Sequence, residues 1–297
     1  YANQLHQAGV PAGQFERMMT ALSDKLGFNC QALSSPTSIF LAFQYQDDED
    51  DQHPIPTQLI RMNPPAINLG NTAELYDMGH CLLDGEISAE QAYSRLKNWQ
   101  PKQPYPLWLQ IICWGLTGGA VAVMLSASWA GIGVAASCCA LLGLLVTQAG
   151  ESLREGGLEA IAALSSTFLV FALNEVLPGL DVFVIIMSSL IVLIPGLGLT
   201  IAVNELSTDH LASGSARLAG ALVTLLKLSL GVLIGTVIVG WFGWSPEPSL
   251  TAQLAEPPDW FRWPALLAAA FSFAVLFSAR RNHQFPRFTC WRCCWWS

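Results

Sequence analysis

The chain has 297 residues, of which 52% are hydrophobic and only 12% are charged. This charged share is about half of the roughly 25% that is usual in soluble domains, so much of the chain must be solvated by lipid. The net charge of -8 and the pI near 5.0 argue against a nucleic-acid partner, because no basic stripe is present to neutralise phosphates. The eight cysteines lack the spacing of a disulfide framework, and we expect free thiols.

The first 104 residues mix polar and apolar positions as a soluble fold does, and they predict a small α+β domain. The segment GQFERMMTALSDKLG has helical spacing of apolar residues and ends at Gly27. Three strands are predicted over FNCQALSS, SIFLAFQY and TQLIRMN, with DDEDDQHPIP as a hairpin tip. Two short helices follow in NTAELYDMGHCLLDG and SAEQAYSRLKNW, the second capped by Ser88.

Two features of this domain suggest metal chemistry, and neither has the required pattern. The acidic run Asp47 to Asp51 could bind a cation, but a solvated loop tip is the simpler interpretation. The histidines His6, His53 and His80 lack partners at i+4 or in a Cys-x-x-Cys motif. We therefore predict no metal site and no cofactor.

After Pro104 the sequence contains apolar stretches long enough to cross a bilayer, which takes about 20 helical residues. We predict a mainly α, polytopic membrane protein, with the small cytoplasmic α+β domain followed by about six transmembrane helices. The predicted spans are residues 107–127, 131–149, 158–177, 182–203, 215–241 and 262–279.

Lysine and arginine fall in every second connection, which predicts the orientation. The connections SASWAG, NEVLPGLD and WSPEPSLTAQLAEPPDW contain no basic residue, and only Arg262, at the start of span six, disagrees. We therefore expect a multi-pass protein of the cell inner (plasma) membrane with a cytoplasmic N-terminal domain. The basic residues on the predicted inner side are Arg95, Lys97, Lys102, Arg154, Arg217, Arg280 and Arg281.

The fourth span is interrupted by Pro195 and Gly196. A break of this kind frees backbone groups, which survive in a membrane only where they face other helices or a water-filled cavity. Many transporters bind substrate at such broken helices. The alternative is a packing kink with no ligand.

Lys227 lies ten residues after Arg217, about 15 Å deeper at 1.5 Å per residue, and we expect it near the bilayer midplane. A charge at that depth needs a partner in the bundle interior. A zwitterionic substrate would also need polar side chains. The candidate partners are Glu205, Glu175, Asp181 and Glu159, and the candidate polar groups are Asn174, Asn204, Thr200 and Thr167.

Simpler interpretations exist for several of these residues. The carboxylates at the helix ends could be ordinary interfacial residues. Arg154, with Glu151, Glu155 and Glu159, could form an inner gate or a plain solvated turn. Small residues four apart favour close helix packing, with a dimer interface as the alternative. These pairs are Gly115 and Gly119, Gly131 and Ala135, and Gly231 and Gly235.

Three segments carry a resemblance to a known family: LHQAGVPAGQFERMMTALSDKLGF, LGNTAELYDMGHCLLDGEISAEQAYSRL and LIPGLGLTIAVNELSTDHLASGSARLAGAL. The last contains the Pro-Gly break, a polar turn and a Gly-x-x-Arg-Leu element, Gly214 to Leu218. Over about residues 1 to 280, the chain resembles the threonine/serine exporters. The resemblance implies a cytoplasmic domain, five spans and a second set of about five, fused or in a partner protein. It also implies proton-driven export of threonine and serine.

The start of the chain lacks Met and a signal-peptide pattern, so we expect that the extreme N-terminus is missing.

The end of the chain departs from the family pattern. The tail SARRNHQFPRFTCWRCCWWS has no helical period, which suggests a frameshift or a truncation inside a second module. Its three cysteines have no fourth ligand, so we assign them no metal. The predicted parts are the cytoplasmic domain 1–104, a five-helix module 105–243, a linker and first helix of a second module 244–280, and an aberrant or disordered tail 281–297.

Motifs for hydrolysis or for nucleotide binding do not occur in this sequence, so we expect no enzyme. The leading hypothesis is a proton-coupled secondary exporter of small hydroxylated amino acids, in which Glu205 exchanges the proton. The substrate site would include Pro195, Gly196, Thr200, Asn204, Glu205, Lys227 and Asn174, and the coupling or gate residues would be Glu205, Glu175, Asp181, Glu159 and Arg154. Its partners would be lipid, threonine or serine, protons, and a second transmembrane module or another copy of the chain. The alternative is a membrane-anchored sensor or regulatory subunit acting through its cytoplasmic domain.

Overall fold

The computed structural model describes residues 1–45, 56–62, 68–101, 105–149, 157–244 and 255–279. These residues fall into two compact units, one from the chain before Tyr105 and one over Tyr105–Leu276. The acidic run Asp47 to Asp51, Arg154 and the tail 281–297 lie outside the described residues, so their predicted roles stay predictions.

The N-terminal unit contains the predicted helices and strands, and one short helix that the sequence pattern did not predict. The helices are α1 (Ala2–Gln7), α2 (Ala12–Lys25), α3 (Leu69–Leu83) and α4 (Ala89–Lys97), and the strands are β1 (Phe28–Ser35), β2 (Ser38–Tyr45) and β3 (Thr57–Arg61). Gly27, at φ +80°, makes the turn from α2 into β1. Ser88 caps α4 as predicted: its Oγ accepts from Gln91 N, and Gln91 Oε1 accepts from Ser88 N, each at 3.2 Å.

The three strands form one antiparallel sheet in the order β1-β2-β3. Alternate residues of the sheet, among them Cys30, Ile39 and Leu41, turn towards the helices and are buried. They pack with buried residues of α1, α2 and α3 such as Leu5, Phe15 and Leu75. This apolar core holds the N-terminal unit together.

The second unit contains the predicted membrane helices. They are α5 (Leu107–Met124), α6 (Trp129–Gln148), α7 (Leu158–Val176), α8 (Val182–Leu190), α9 (Gly196–Ser207), α10 (Leu211–Trp241) and α11 (Arg262–Leu276). Four of the described helices, α5, α6, α7 and α10, are long and apolar enough to cross a bilayer. The bent pair of α8 and α9 is apolar enough only when taken together, either as one broken span or as a re-entrant loop. The predicted sixth span corresponds to α11, which has only 15 residues, about 22 Å of helix against about 30 Å of hydrocarbon.

Glycines allow two pairs of these helices to approach closely, as their spacing predicted. Gly115 of α5 lies against α6, where a Cβ would come within 3.0 Å of the Ala136 carbonyl oxygen. Gly231 and Gly235 of α10 lie against α7, where added Cβ atoms would come within 2.7 Å of Ala163 Cβ and 2.8 Å of Thr167 Cβ. Small residues are therefore used here for packing within the chain.

The fourth span is broken where the sequence predicted. After α8, a short 3-10 turn covers Ile191–Leu193, and α9 then starts at Gly196 with its axis bent by 59°. Pro195 has no N–H with which to continue the first helix. Its carbonyl oxygen accepts from Leu199 N at 2.9 Å, which is the first hydrogen bond of α9. The bend directs α9 away from the core of the unit, and α9 packs chiefly against α10.

Candidate functional site

The turn between α9 and α10 brings the two helices together as a tight hairpin. Asp209 adopts φ +61° in this turn, and His210 N donates to the Glu205 carbonyl oxygen at 2.9 Å. Gly214 lies at the closest approach of the two helices. A Cβ there would come within 2.9 Å of Leu206 N and 3.0 Å of the Ala202 carbonyl oxygen. The glycine of the Gly-x-x-Arg-Leu element is therefore needed to close the hairpin.

Glu205 lies inside this hairpin and is only 1% exposed. Its Oε2 accepts a hydrogen bond from Ser213 Oγ at 2.9 Å and lies 3.1 Å from Arg217 Nε. Ser213 and Arg217 are four residues apart, so they lie on the same face of α10. The Arg217 side chain is itself only 11% exposed. The result is a buried ion pair in the second half of the broken span, about 15 Å along α9 from Pro195.

Lys227 forms a second ion pair, and its partner is Glu159 rather than Glu205. The Lys227 Nζ lies 3.5 Å from Glu159 Oε2, and the two side chains are 32% and 24% exposed. Glu159 is in the first turn of α7. This contact places Lys227 level with the predicted inner end of α7, whereas the count of residues from Arg217 predicted the bilayer midplane.

Three predicted site residues lie at the opposite, predicted outer, ends of α7 and α8. Asn174 Oδ1 accepts from Leu180 N at 3.2 Å and so stabilises the loop between the helices. Asp181 caps α8, with Oδ1 accepting from Val184 N at 3.3 Å. Glu175 is exposed. The structure does not bring these residues to Glu205 or Lys227.

The remaining predicted residues lie on or next to α9. Thr200 and Asn204 are exposed on its surface, and Thr200 Oγ1 donates to the Gly196 carbonyl oxygen at 3.0 Å. Gly196 is exposed, and a Cβ there would meet no atom within 4 Å. Pro195 is partly buried. Asn204 precedes Glu205 directly in α9, whereas Pro195 and Gly196 lie nearly three helical turns away at the start of the helix.

Sequence reasoning did not include Ser213 or Arg217 in the site. From the sequence, Arg217 indicates the orientation of the chain and the depth of Lys227, and it stands three residues after Gly214. The spacing of Ser213, Gly214 and Arg217 was the available signal, because residues at i and i+4 share a helix face. A buried hydroxyl pair, Ser166 Oγ and Ser189 Oγ at 2.6 Å, also joins α7 to α8 and had no sequence signal.

The described parts of the chain contain no group of three or more His, Cys, Asp or Glu residues that could hold a metal ion. The contacts of Glu205 bring together one carboxylate, one guanidinium and one hydroxyl. Such a set can bind or release a proton and can bind a small zwitterion.

The chain matches known proteins over most of its length. Residues 1–239 match the model of the ThrE family, described as "Putative threonine/serine exporter". Its relatives include "Uncharacterized protein C7D4.12c" of Schizosaccharomyces pombe, 21% identical over 287 residues, which are 94% of this chain and 37% of that protein. They also include "Pheromone-regulated membrane protein 10" of Zygosaccharomyces rouxii, 21% identical over 272 residues, which are 90% of this chain and 27% of that protein. No solved structure matches the chain.

The family match covers the N-terminal unit and the helices up to α10, including the hairpin that holds Glu205. The family is one of membrane transporters and not a class of enzymes, which agrees with the apolar helices. The chain itself corresponds to about a third of the length of these relatives. It belongs to the threonine/serine exporter family, ThrE.

Proposed function

We propose that this chain is a proton-coupled secondary exporter of small hydroxylated amino acids, threonine and serine, in the cell inner (plasma) membrane. The observation that carries the proposal is the buried Glu205–Arg217 ion pair, at 3.1 Å, between the second half of the broken span and α10. Membership of the family supports the transport of a small solute.

The charges of this pair match those of the substrate. A free amino acid carries one ammonium and one carboxylate at neutral pH. Its ammonium can replace Arg217 at Glu205, and its carboxylate can then bind the Arg217 guanidinium with two hydrogen bonds. The exchange leaves no buried charge without a partner, which keeps its electrostatic cost low.

Proton coupling follows from competition for the same carboxylate. Glu205 can hold either a proton or the substrate ammonium, and both cannot occupy it together. A proton taken up from outside therefore displaces the substrate ammonium from Glu205. When the site faces the inside again, Glu205 releases this proton and becomes a carboxylate that can bind the next substrate. The half-buried Lys227–Glu159 pair, near the predicted inner ends of α7 and its neighbours, is assigned to an inner gate together with Arg154.

Preference for a hydroxylated side chain is assigned to Ser213, with Thr200 and Asn204 as further polar groups. Ser213 Oγ already contacts Glu205 and lies one turn from Arg217. A site that hydrogen-bonds a substrate hydroxyl discriminates strongly against the analogue that lacks it. We therefore expect threonine to be preferred over valine, which has a methyl group in place of the hydroxyl.

The cytoplasmic position of the N-terminal domain is part of the proposal and is supported by the distribution of basic residues. Arg262, the residue that disagreed, donates from Nη2 to Ser126 Oγ at 3.1 Å and lies 3.5 Å from Asp259 Oδ1. Its charge is therefore paired at the predicted outer surface.

The test is efflux of labelled threonine from proteoliposomes in which a pH gradient is imposed. The wild-type chain should export threonine only when the gradient is present, and it should export valine more slowly than threonine. The variant Glu205→Gln should show no coupled efflux. Glu256→Gln removes an exposed carboxylate outside the predicted site and is the matched control. Coupled efflux at the wild-type rate in Glu205→Gln would refute the site, and a sensor or regulatory subunit predicts no efflux from any variant.

A further inference from the structure

The N-terminal unit contains a cavity that the proposed transport does not use. It has a volume of about 540 Å³ and lies between α2, α3, α4 and the ends of β1 and β2. This volume is within the range of about 300–1,000 Å³ that is typical of small-ligand pockets. Side chains that define its wall include Met19, Leu22, Met78, Leu82, Ala92 and Leu96.

The described wall of the cavity carries no charged side chain. The hydroxyl groups of Ser23 and Tyr1 both line it, but each already has a backbone partner. Ser23 Oγ donates to the Thr20 carbonyl oxygen at 2.8 Å, and Tyr1 Oη donates to the Leu75 carbonyl oxygen at 2.9 Å. Burial raises the pKa of the Tyr1 phenol, as expected beside an apolar space.

These properties exclude a free amino acid as the occupant, because its two charges would find no partners in the wall. The volume is also too small to enclose a helix. With side chains, a helix is about 10–12 Å wide and rises about 5.4 Å per turn, so the cavity would hold only about one turn. A narrow and flexible apolar molecule remains.

We propose that this cavity binds the hydrocarbon chain of a lipid or a fatty acid. Methionine and leucine side chains adapt to a flexible chain, and Met19 and Met78 lie in the wall. Leu26 and Tyr93 also line the cavity while remaining 47% and 68% exposed, so they mark its mouth. Hydrocarbon chains are the apolar molecules that are most available to a protein held in a bilayer.

The test uses the full chain in phosphatidylcholine nanodiscs with palmitic acid that carries a diazirine near the end of its chain. After irradiation, labelled peptides should come from α2, α3 and α4, and unlabelled palmitate should compete while threonine should not. A second arm places the diazirine on the phosphatidylcholine itself. Label in the first arm alone indicates a free fatty acid as the source, and label in the second arm indicates a membrane lipid.

Two variants of α4 make the result specific. Ala92→Trp fills the cavity and should lower the labelling of these peptides about tenfold or more, because the indole takes the volume that the chain would occupy. Glu90→Trp adds the same side chain at an exposed position outside the wall and should leave the labelling unchanged.

A third variant does not depend on packing a large side chain into the unit. Leu26→Ser with Tyr93→Ser changes only exposed positions at the mouth and should lower the labelling several-fold, because the entrance becomes polar. The proposal is overturned if label spreads evenly over the N-terminal unit in both arms. It is also overturned if Ala92→Trp and Glu90→Trp label equally, or if threonine competes and palmitate does not.

Discussion

The two halves of α10 pack against their neighbours in different ways. In the first half, Gly214 allows α9 to approach closely, and the interface contains the buried Glu205–Arg217 ion pair. In the second half, Gly231 and Gly235 allow α7 to approach closely, and the atoms nearest to these glycines are backbone and small apolar atoms. Lys227, nearer the middle of α10, pairs with Glu159 of α7.

The difference assigns different tasks to the two halves. Close apolar packing has a single low-energy arrangement, so the part of α10 around Gly231 and Gly235 is the rigid half of the helix. An ion pair can exchange one partner for a proton or a ligand, and α9 has few other buried contacts that would hold it in place. The first half is therefore the part of α10 at which the proposed exchange of partners takes place.

The largest effect on stability is expected for Gly231→Leu, which disrupts the packing of the rigid half of α10 against α7. The new side chain would meet the Ala160 carbonyl oxygen and Ala163 Cβ, so the cost should exceed the roughly 1–3 kcal/mol that is typical of overpacking. Gly220→Leu is the control on the same helix, because a Cβ there meets nothing within 4 Å. Thermal denaturation and size-exclusion chromatography in detergent should separate the two variants. Equal stability would show that α7 and α10 are not tightly packed.

The second effect is on the buried ion pair. Arg217→Met leaves the Glu205 carboxylate buried without its cation, which should lower the free energy of unfolding by about 3–5 kcal/mol. Adding Glu205→Leu should restore most of that loss. The control is Arg262→Met, whose exposed pair with Asp259 should be worth about 0–1 kcal/mol. Denaturant titration measures all the variants, and additive losses in the double variant would contradict the pairing.

A smaller effect is expected for the hydroxyl at the same carboxylate. Ser213→Ala removes the hydrogen bond to Glu205 and should cost about 1.5–3 kcal/mol, the usual range for hydrogen bonds to charged groups. Ser215→Ala is the control, because Ser215 is exposed and its Oγ donates only to the Ala212 carbonyl oxygen of its own helix. In the efflux assay, Ser213→Ala should also reduce the preference for threonine over valine. An unchanged preference would remove Ser213 from the substrate site.

The smallest effect on stability is expected at Lys227. Its pair with Glu159 is half-exposed and 3.5 Å long, so Lys227→Met should cost only about 0–1 kcal/mol. If the Lys227–Glu159 pair forms a gate, Lys227→Met should still fold while its efflux rate changes. Glu159→Gln should then change the efflux rate in the same way. A double-mutant cycle on the efflux rate measures the coupling of the two residues. Independent effects would show that they do not form a gate.

Much of the fold could be predicted because its determinants are local. Proline interrupts a helix independently of tertiary contacts, so Pro195 predicted the break in the fourth span. The alternation of apolar residues predicted β1 and β2, and Ser88 as a cap predicted the start of α4. The helix α1 was missed, because its six residues are too few to show a period.

The sequence by itself determined that the chain has a small α+β part and several apolar helices, and that one span is broken. Hydropathy, helix breakers and caps act within a few residues and carry this information. Only the tertiary structure decided that Glu205 pairs with Arg217 and that Lys227 pairs with Glu159. The choice depends on where glycines let helices meet, since a carboxylate pairs with the cation that packing brings within about 4 Å.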